Sequence, residues 1–149
     1  ICAAHCPAIA LFRNDTASQL MLLANAGQAK LVYEPKFFSA AYDQYGDGAI
    51  LALLAHAIGH ALDDAMGAAW IQGGWPAEVR ADSWAGCELG KARLSAPDLA
   101  GALGALAKFP PAGHSAWNTR LMALRAGYTN CGGGAPQFDS AAKLKDGPR

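Results

Sequence analysis

Two histidines lie four residues apart, the first within the most apolar stretch of the sequence and the second just after it. His56 and His60 fall inside one predicted helix, so both imidazole rings would project from the same face, about one turn apart. This separation allows two ring nitrogens to bind a single metal ion. The alternative is that they are ordinary core histidines, because a lone pair at this spacing is common. A metal site therefore requires a third ligand.

Two carboxylates further along the chain can complete such a site. Glu78 follows His60 by 18 residues, near the start of another predicted helix, and Asp82 lies one turn later. Two histidines and a glutamate, with one position left for water, are typical of catalytic zinc. Asp82 would accept a hydrogen bond from an imidazole N–H and so orient that ring. The alternative is that Glu78 and Asp82 are ordinary acidic residues on a solvated face of the helix.

The sequence offers a second candidate for the third ligand. Asp64 follows His60 by four residues and could replace Glu78 in that role, and Asp63 stands beside it. We expect one Zn²⁺ per chain, although imidazole and carboxylate ligands also accept other divalent ions.

The elements that must position these residues are mostly helical. Pro35 opens a short helix that ends at Gly46, and Asp47 opens the long apolar helix that carries both histidines. The sequence predicts an α+β, mainly helical fold, with a small antiparallel sheet packed on that long helix. Helices are predicted at residues 15–25, 35–46, 47–64, 75–89, 95–107 and 115–126, and strands at 9–12 and 30–34.

Composition limits the classes of partner. The 149 residues carry 12 basic and 12 acidic side chains, so the net charge is zero, and nucleic acid is not an expected partner. The apolar stretch at residues 49–58 is about half of the ~20 residues that a membrane span needs. We expect one domain at residues 1–131, followed by a flexible tail at residues 132–149, because Gly132, Gly133 and Gly134 interrupt any helix.

Four cysteines bear on the cellular compartment. Cys2, Cys6, Cys87 and Cys131 could form two disulfides in three pairings, which favours an exported protein, periplasmic or secreted. The alternative is four free thiols inside the cell, since a chain of this length needs no covalent cross-links. No Cys-x-x-Cys pair typical of structural zinc occurs.

The motifs resemble those of a known enzyme family. HAIGHALD at residues 56–63 resembles the HExxH helix of the gluzincin metallopeptidases, and EVRAD at residues 78–82 resembles their ExxAD segment. The likeness extends over residues 25–131. Its other parts are similar to the HtpX and CAAX-prenyl-protease group and to the bacterial neutral zinc metallopeptidases: Asn25-Ala26 before a strand, His114 followed by Arg120, and Gly127-Tyr128.

The resemblance implies a zinc endopeptidase with His56, His60 and Glu78 as ligands. An extended peptide substrate would add antiparallel to an exposed strand edge at Leu31, Val32 and Tyr33. It further implies that His114 or Tyr128 donates a hydrogen bond to the developing oxyanion, with a loop histidine as the alternative for His114. Arg120 would be a structural partner of an acid such as Asp82, with an exposed surface role as the alternative.

Position 57 departs from this family pattern. The residue after the first histidine is Ala57, where the family has the glutamate that accepts a proton from the attacking water. Loss of a general base typically lowers the rate by ~10²–10⁴-fold. Either a glutamate has been replaced, which we favour because the surrounding residues still fit a working site, or the protein is a natural pseudopeptidase that binds without cleavage. A helical interaction module without metal is the third reading.

Overall fold

The computed structural model describes residues 8–16, 20–25, 28–109 and 115–144. These residues form three strands and six helices, so the fold is α+β and mainly helical, as the sequence predicts. The elements are β1 (Ile9–Arg13), β2 (Leu20–Asn25), β3 (Gln28–Tyr33), α1 (Pro35–Tyr45), α2 (Asp47–Ala65), α3 (Ala77–Ala92), α4 (Ala96–Lys108), α5 (Trp117–Asn130) and α6 (Ala135–Leu144).

The sheet is mixed, whereas the sequence analysis expected an antiparallel one. Its strand order is β1-β3-β2, with β3 parallel to β1 and antiparallel to β2. The chain reverses between β1 and β2 and again between β2 and β3, and β3 then inserts between the two, so its parallel neighbour is β1. Leu31 of β3 lies between Leu11 and Leu22 in the register and is fully buried.

The predicted helix at residues 15–25 is wrong, because Leu20–Asn25 forms strand β2. A short, continuous apolar run such as Leu20 to Leu23 has no period that separates a helix from a strand. The tertiary structure decides: every residue of β2 is in register with one of β3, and the strand packs against α2.

The remaining helix predictions agree with the structure to within a few residues at the helix ends. Pro35 occupies the first turn of α1 and Gly46 ends that helix, while the Ser95 hydroxyl caps α4 by accepting a hydrogen bond from the Asp98 backbone N–H. Helix α5 does not stop before Gly127 as predicted but continues to Asn130.

The C-terminal segment contains a packed helix, so the expected flexible tail is wrong for residues 135–144. Phe138 of α6 is buried, and its ring lies 5.3 Å from that of Tyr128. The side chain of Gln137 accepts a hydrogen bond from the Tyr128 hydroxyl and donates another to the Leu94 carbonyl. The glycines do interrupt the chain, at a positive φ of 99° for Gly132, but a new helix follows them.

Helices α3 and α5 pack with their backbones in close contact. A Cβ atom at Gly127 would overlap the carbonyl oxygen of Ser83, and one at Gly86 would overlap that of Leu124. Only glycine fits at these two positions. This close approach is why α5 runs on through Gly127, where its local sequence alone suggested an end.

A disulfide joins the same two helices. Cys87 of α3 is bonded to Cys131 at the end of α5, with their Cα atoms 5.0 Å apart. The sequence allowed three pairings of its four cysteines, and this bond belongs to one of them. Cys2 and Cys6 lie outside the described residues. In the described part of the chain, none of the helices combines the length and the apolar character needed to cross a bilayer.

The contact between α3 and α5 gives a stability prediction. We expect Gly127→Ala to lower the free energy of unfolding by about 1–3 kcal/mol, because the added Cβ must displace the backbone at Ser83. Urea unfolding followed by circular dichroism measures the loss. Gly67→Ala is the control, since a Cβ there meets no atom within 4 Å, and its midpoint should stay the same or rise slightly. An unchanged midpoint for Gly127→Ala would contradict this packing.

Candidate metal centre

Three side chains from α2 and α3 converge on one point. Oε2 of Glu78 lies 3.2 Å from Nε2 of His56 and 3.2 Å from Nε2 of His60. One ligand atom from each of the three residues can be chosen so that all lie within 4.8 Å of one another. The structure thus brings together the two histidines and the glutamate that the sequence predicted, and the group can hold a metal ion.

A glycine between the ligands allows the two helices to come this close. Gly59 precedes His60 on α2, and a Cβ atom there would lie 2.7 Å from the carbonyl oxygen of Ala81 and 3.1 Å from the Cβ of Trp84 on α3. A larger residue would push α3 away from α2. The ligands on the two helices would then separate as well.

A buried carboxylate orients the first histidine. Asp82 is fully buried, and its Oδ1 lies 2.9 Å from Nδ1 of His56. A carboxylate accepts, so the Nδ1–H of the imidazole donates to Asp82, and in the neutral imidazole the lone pair stays on Nε2, which lies 3.2 Å from Oε2 of Glu78. Asp82 therefore takes the orienting position that the sequence analysis expected for it.

Arg120 neutralises that buried carboxylate. Its Nε donates to Oδ2 of Asp82 at 2.7 Å, and a terminal nitrogen donates to Oδ1 at 3.0 Å. The other terminal nitrogen donates to the Leu106 carbonyl at 2.7 Å. This two-point ion pair is the partnership that the sequence analysis proposed for Arg120, and it links α5 to α3 and α4 behind the metal ligands.

The two histidines differ electrostatically. Burial by itself lowers the pKa of His56, but hydrogen bonds to Asp82 and then to Glu78 outweigh it, so this pKa is raised above its ordinary value. Burial also lowers the pKa of His60, and there the attraction of Glu78 offsets it only in part, so the pKa stays below its ordinary value. A metal ion at this site therefore competes with a proton chiefly at His56.

Ala57 borders a small cavity beside the ligands. The cavity has a volume of about 30 Å³, and its lining is apolar apart from His56 and Arg120. The lining residues are Leu20, Phe37, Leu53, His56, Ala57, Leu106, Phe109 and Arg120. None of these described lining residues is an acid, so this lining places no carboxylate beside Ala57.

Tyr128 does not belong to the centre, so its predicted role as an oxyanion donor is wrong. It is buried, its hydroxyl donates to Gln137, and its backbone packs against Gly90 of α3. Gly90 follows Glu78 by twelve residues, about 18 Å along the helix axis. The placement follows from the pairing of α3 with α5, since that pairing puts Arg120 beside Asp82 and Tyr128 at the far end.

The other predicted site residues fall into two groups. His114 lies outside the described residues, so its predicted role stays a prediction. Asp64 is exposed and is not part of the ligand group, whereas Asp63 bonds to Arg80. Glu78 is thus the third ligand that the geometry favours over Asp64.

The strand predicted to bind the substrate is not at an edge of the sheet. Leu31, Val32 and Tyr33 belong to β3, which is hydrogen-bonded to β1 on one side and to β2 on the other. A peptide cannot add to a strand whose two edges are already paired. The expected role of these three residues in substrate binding is therefore wrong, and among the described strands the edges belong to β1 and β2.

One interaction next to these side chains was not expected from the sequence. Nε of Arg80 donates to Oδ2 of Asp63 at 2.7 Å, and Nη1 of Arg80 donates to the Trp75 carbonyl at 2.6 Å. The signal was present as opposite charges, one placed three residues after His60 and the other two residues after Glu78. Charge alone does not reveal it, because exposed charged residues are common.

Comparison of the chain with family models, with curated proteins and with solved structures finds no match in any of the three. The case for this centre therefore depends on its own geometry.

The buried pair behind His56 gives a prediction on metal affinity. We expect Asp82→Asn to weaken Zn²⁺ binding by ~10–100-fold, because the neutral amide orients and polarises the imidazole less well. Competition with a chromophoric chelator measures the affinity, under conditions where circular dichroism shows the variant folded.

Asp139→Asn is the matched control, because Asp139 makes a similar two-point ion pair with Arg125 at 2.7 and 3.0 Å, on helices α5 and α6. Its Zn²⁺ affinity should equal that of the unmodified chain. Equal affinity in the folded Asp82→Asn variant would refute the orienting role of Asp82.

Proposed function

We propose that this chain is a zinc-binding domain of the metallopeptidase type, resembling the gluzincins, in which Ala57 stands at the position of the general base. The observation that carries the proposal is the convergence of His56, His60 and Glu78, with Asp82 hydrogen-bonded behind His56. A structural histidine pair in a core would need neither a third ligand nor a buried acid with its own arginine.

The donor set suits zinc in type, and its two separations that involve Glu78 suit tetrahedral ligands. Zinc binds imidazole nitrogen and carboxylate oxygen at about 2.0–2.2 Å, so two such atoms at tetrahedral positions lie about 3.3 Å apart. The two distances of 3.2 Å from Glu78 to the histidine nitrogens are close to that value. Three protein ligands leave one position for water or substrate, as in catalytic sites.

The residues of the centre would have different roles in metal binding. His56, His60 and Glu78 would hold the ion, and Asp82 with Arg120 would keep His56 in one tautomer and orientation. When bound, zinc supplies Lewis acidity towards a carbonyl group and towards water. Position 57 lies directly after His56 and borders the cavity, where a glutamate would accept the water proton and deliver it to the leaving amine. Ala57 can do neither.

We infer that a bound peptide lies along β2 rather than β3. Among the described strands β2 is at an edge, it packs against α2, and its Leu20 lines the same cavity as Ala57. Met21 and Leu23 of β2 are about half exposed, which offers apolar contacts beside the free backbone edge. An extended peptide can add to such an edge through main-chain hydrogen bonds.

A second candidate function is that of a pseudopeptidase, which holds zinc and binds a peptide or partner protein without cleaving it. Ala57 is the observation that favours it, because the ligand group and its support are complete without the base.

In either case the Cys87–Cys131 disulfide supports an exported location, since such bonds persist in oxidising compartments.

The metal content of the purified chain tests the centre directly. We expect one equivalent of zinc by mass spectrometry, falling well below one in Glu78→Ala because a ligand is lost. Glu88→Ala is the control on the same helix, as Glu88 is half-buried but is not among the ligands. Absence of zinc from the unmodified chain would refute the metal site and leave an interaction module. So would a zinc content in Glu78→Ala equal to that of the unmodified chain.

Position 57 distinguishes the two candidate functions. We expect Ala57→Glu to raise chelator-sensitive hydrolysis of casein or a peptide by ~10²–10⁴-fold, the usual contribution of a general base. The cavity of about 30 Å³ beside Ala57 gives room for part of the added side chain. Ala57→Gln is the control, because it has nearly the same shape but cannot accept the proton. A folded, zinc-loaded Ala57→Glu variant that stays inactive would favour the pseudopeptidase.

A further inference from the structure

The third candidate metal ligand lies in the first turn of its helix. Glu78 is the second residue of α3, and the residue that precedes the helix, Pro76, makes no side-chain cap hydrogen bond. The first turn of a helix lacks part of its backbone hydrogen bonding and frays readily. A ligand on that turn binds a metal ion well only if something else holds the turn in place.

Arg80 makes contacts that hold this turn from two directions. Its Nε donates to Oδ2 of Asp63 on α2 at 2.7 Å, and its Nη1 donates to the carbonyl of Trp75, just before α3, at 2.6 Å. The pair is partly shielded from water, with 32% of the Arg80 side chain and 11% of the Asp63 side chain exposed. Screening by water is therefore incomplete, which strengthens the pair relative to one on the open surface.

The direction of these contacts matters for Glu78. Residues two apart on a helix project about 200° from each other, so Glu78 and Arg80 leave α3 on different flanks. Both nevertheless reach α2, Glu78 at His56 and His60 and Arg80 at Asp63. One contact on each flank restrains the first turn of α3 against rolling about its axis and against moving away from α2.

We propose that Arg80 is a positioning residue for the metal centre: its ion pair with Asp63 and its hydrogen bond to Trp75 fix the first turn of α3 so that Glu78 stays within reach of both histidines. This inference rests on the proposed metal-binding function. Arg80 does not touch the ligand atoms in the contacts described, so its effect on metal binding is carried by Glu78.

The test replaces Arg80 with methionine, which keeps much of the apolar stem and removes the donors. We expect Arg80→Met to weaken Zn²⁺ binding by about 10-fold or more, as for other groups that orient a metal ligand. With Co²⁺ as a spectroscopic probe, we expect the visible absorption of a tetrahedral site to weaken as Glu78 is lost from coordination. Arg80→Lys can restore one of the two contacts and should recover part of the affinity.

A readout without metal tests the positioning itself. The backbone N–H groups of residues 79 and 80 donate to the Pro76 carbonyl, so they report on the order of the first turn. In the metal-free protein we expect these two amides to exchange with solvent faster in Arg80→Met, while amides in the middle of α3 keep their protection.

Arg125→Met is the matched control, because Arg125 forms a comparable ion pair with Asp139 between α5 and α6. It should leave the metal affinity, the Co²⁺ spectrum and the two amides unchanged. Unchanged affinity and exchange in Arg80→Met, in a chain that does bind zinc through Glu78, would overturn the positioning role alone. If the unmodified chain binds no zinc, the proposed function and the positioning role both fail, and faster exchange then shows only that Arg80 supports the helix.

Discussion

The structure depends on one buried charge, the carboxylate of Asp82. A carboxylate in a protein interior is costly unless its oxygens are paired, and removing one partner of such a pair typically destabilises a protein by about 3–5 kcal/mol. Here both oxygens are paired, by Arg120 from α5 and by His56 from α2. Because Arg120 also donates to the Leu106 carbonyl of α4, four helices meet at this carboxylate. The carboxylate that joins these four helices is thus the same group that orients His56.

Close helix packing makes that convergence possible. Gly59 lets α2 approach α3, and Gly86 and Gly127 let α3 approach α5, so the three helices meet nearly backbone to backbone. The Cys87–Cys131 disulfide secures the far end of the α3 and α5 pair, while Asp82 and Arg120 secure the end near the metal ligands. A side chain at any of these glycines would separate the helices that carry these polar groups. Sterics and electrostatics therefore impose the same arrangement.

Under the proposed function, the centre has the residues for metal binding but lacks one for catalysis. The structure holds three side chains that could bind a metal ion, an acid that orients one of them and the arginine that neutralises this acid, and Arg80 is the residue proposed to hold the turn that carries Glu78. Ala57 would then stand where a group that moves a proton is needed. The support given to the ligands is what a zinc site of either kind requires, because metal affinity depends on ligand orientation whether or not the bound substrate is cleaved.

The sequence by itself determined the ligand group and most of the helices. The spacing of His56 and His60 and the position of Glu78 in the next helix are local patterns, and Pro35, Gly46 and Ser95 act on the residues beside them. The tertiary structure decided what depends on distant partners. Leu20–Asn25 is a strand because β3 pairs with it, and Leu31–Tyr33 is not at an edge because β1 and β2 flank it. Helix α6 is packed because Phe138 is buried against Tyr128. Tyr128 lies away from the candidate site for a similar reason. The register between α3 and α5 is set by contacts of glycines with residues far away in the sequence. Local patterns fix which backbone conformation a segment prefers, but strand order and helix register are fixed by contacts between segments that short-range periodicity does not encode.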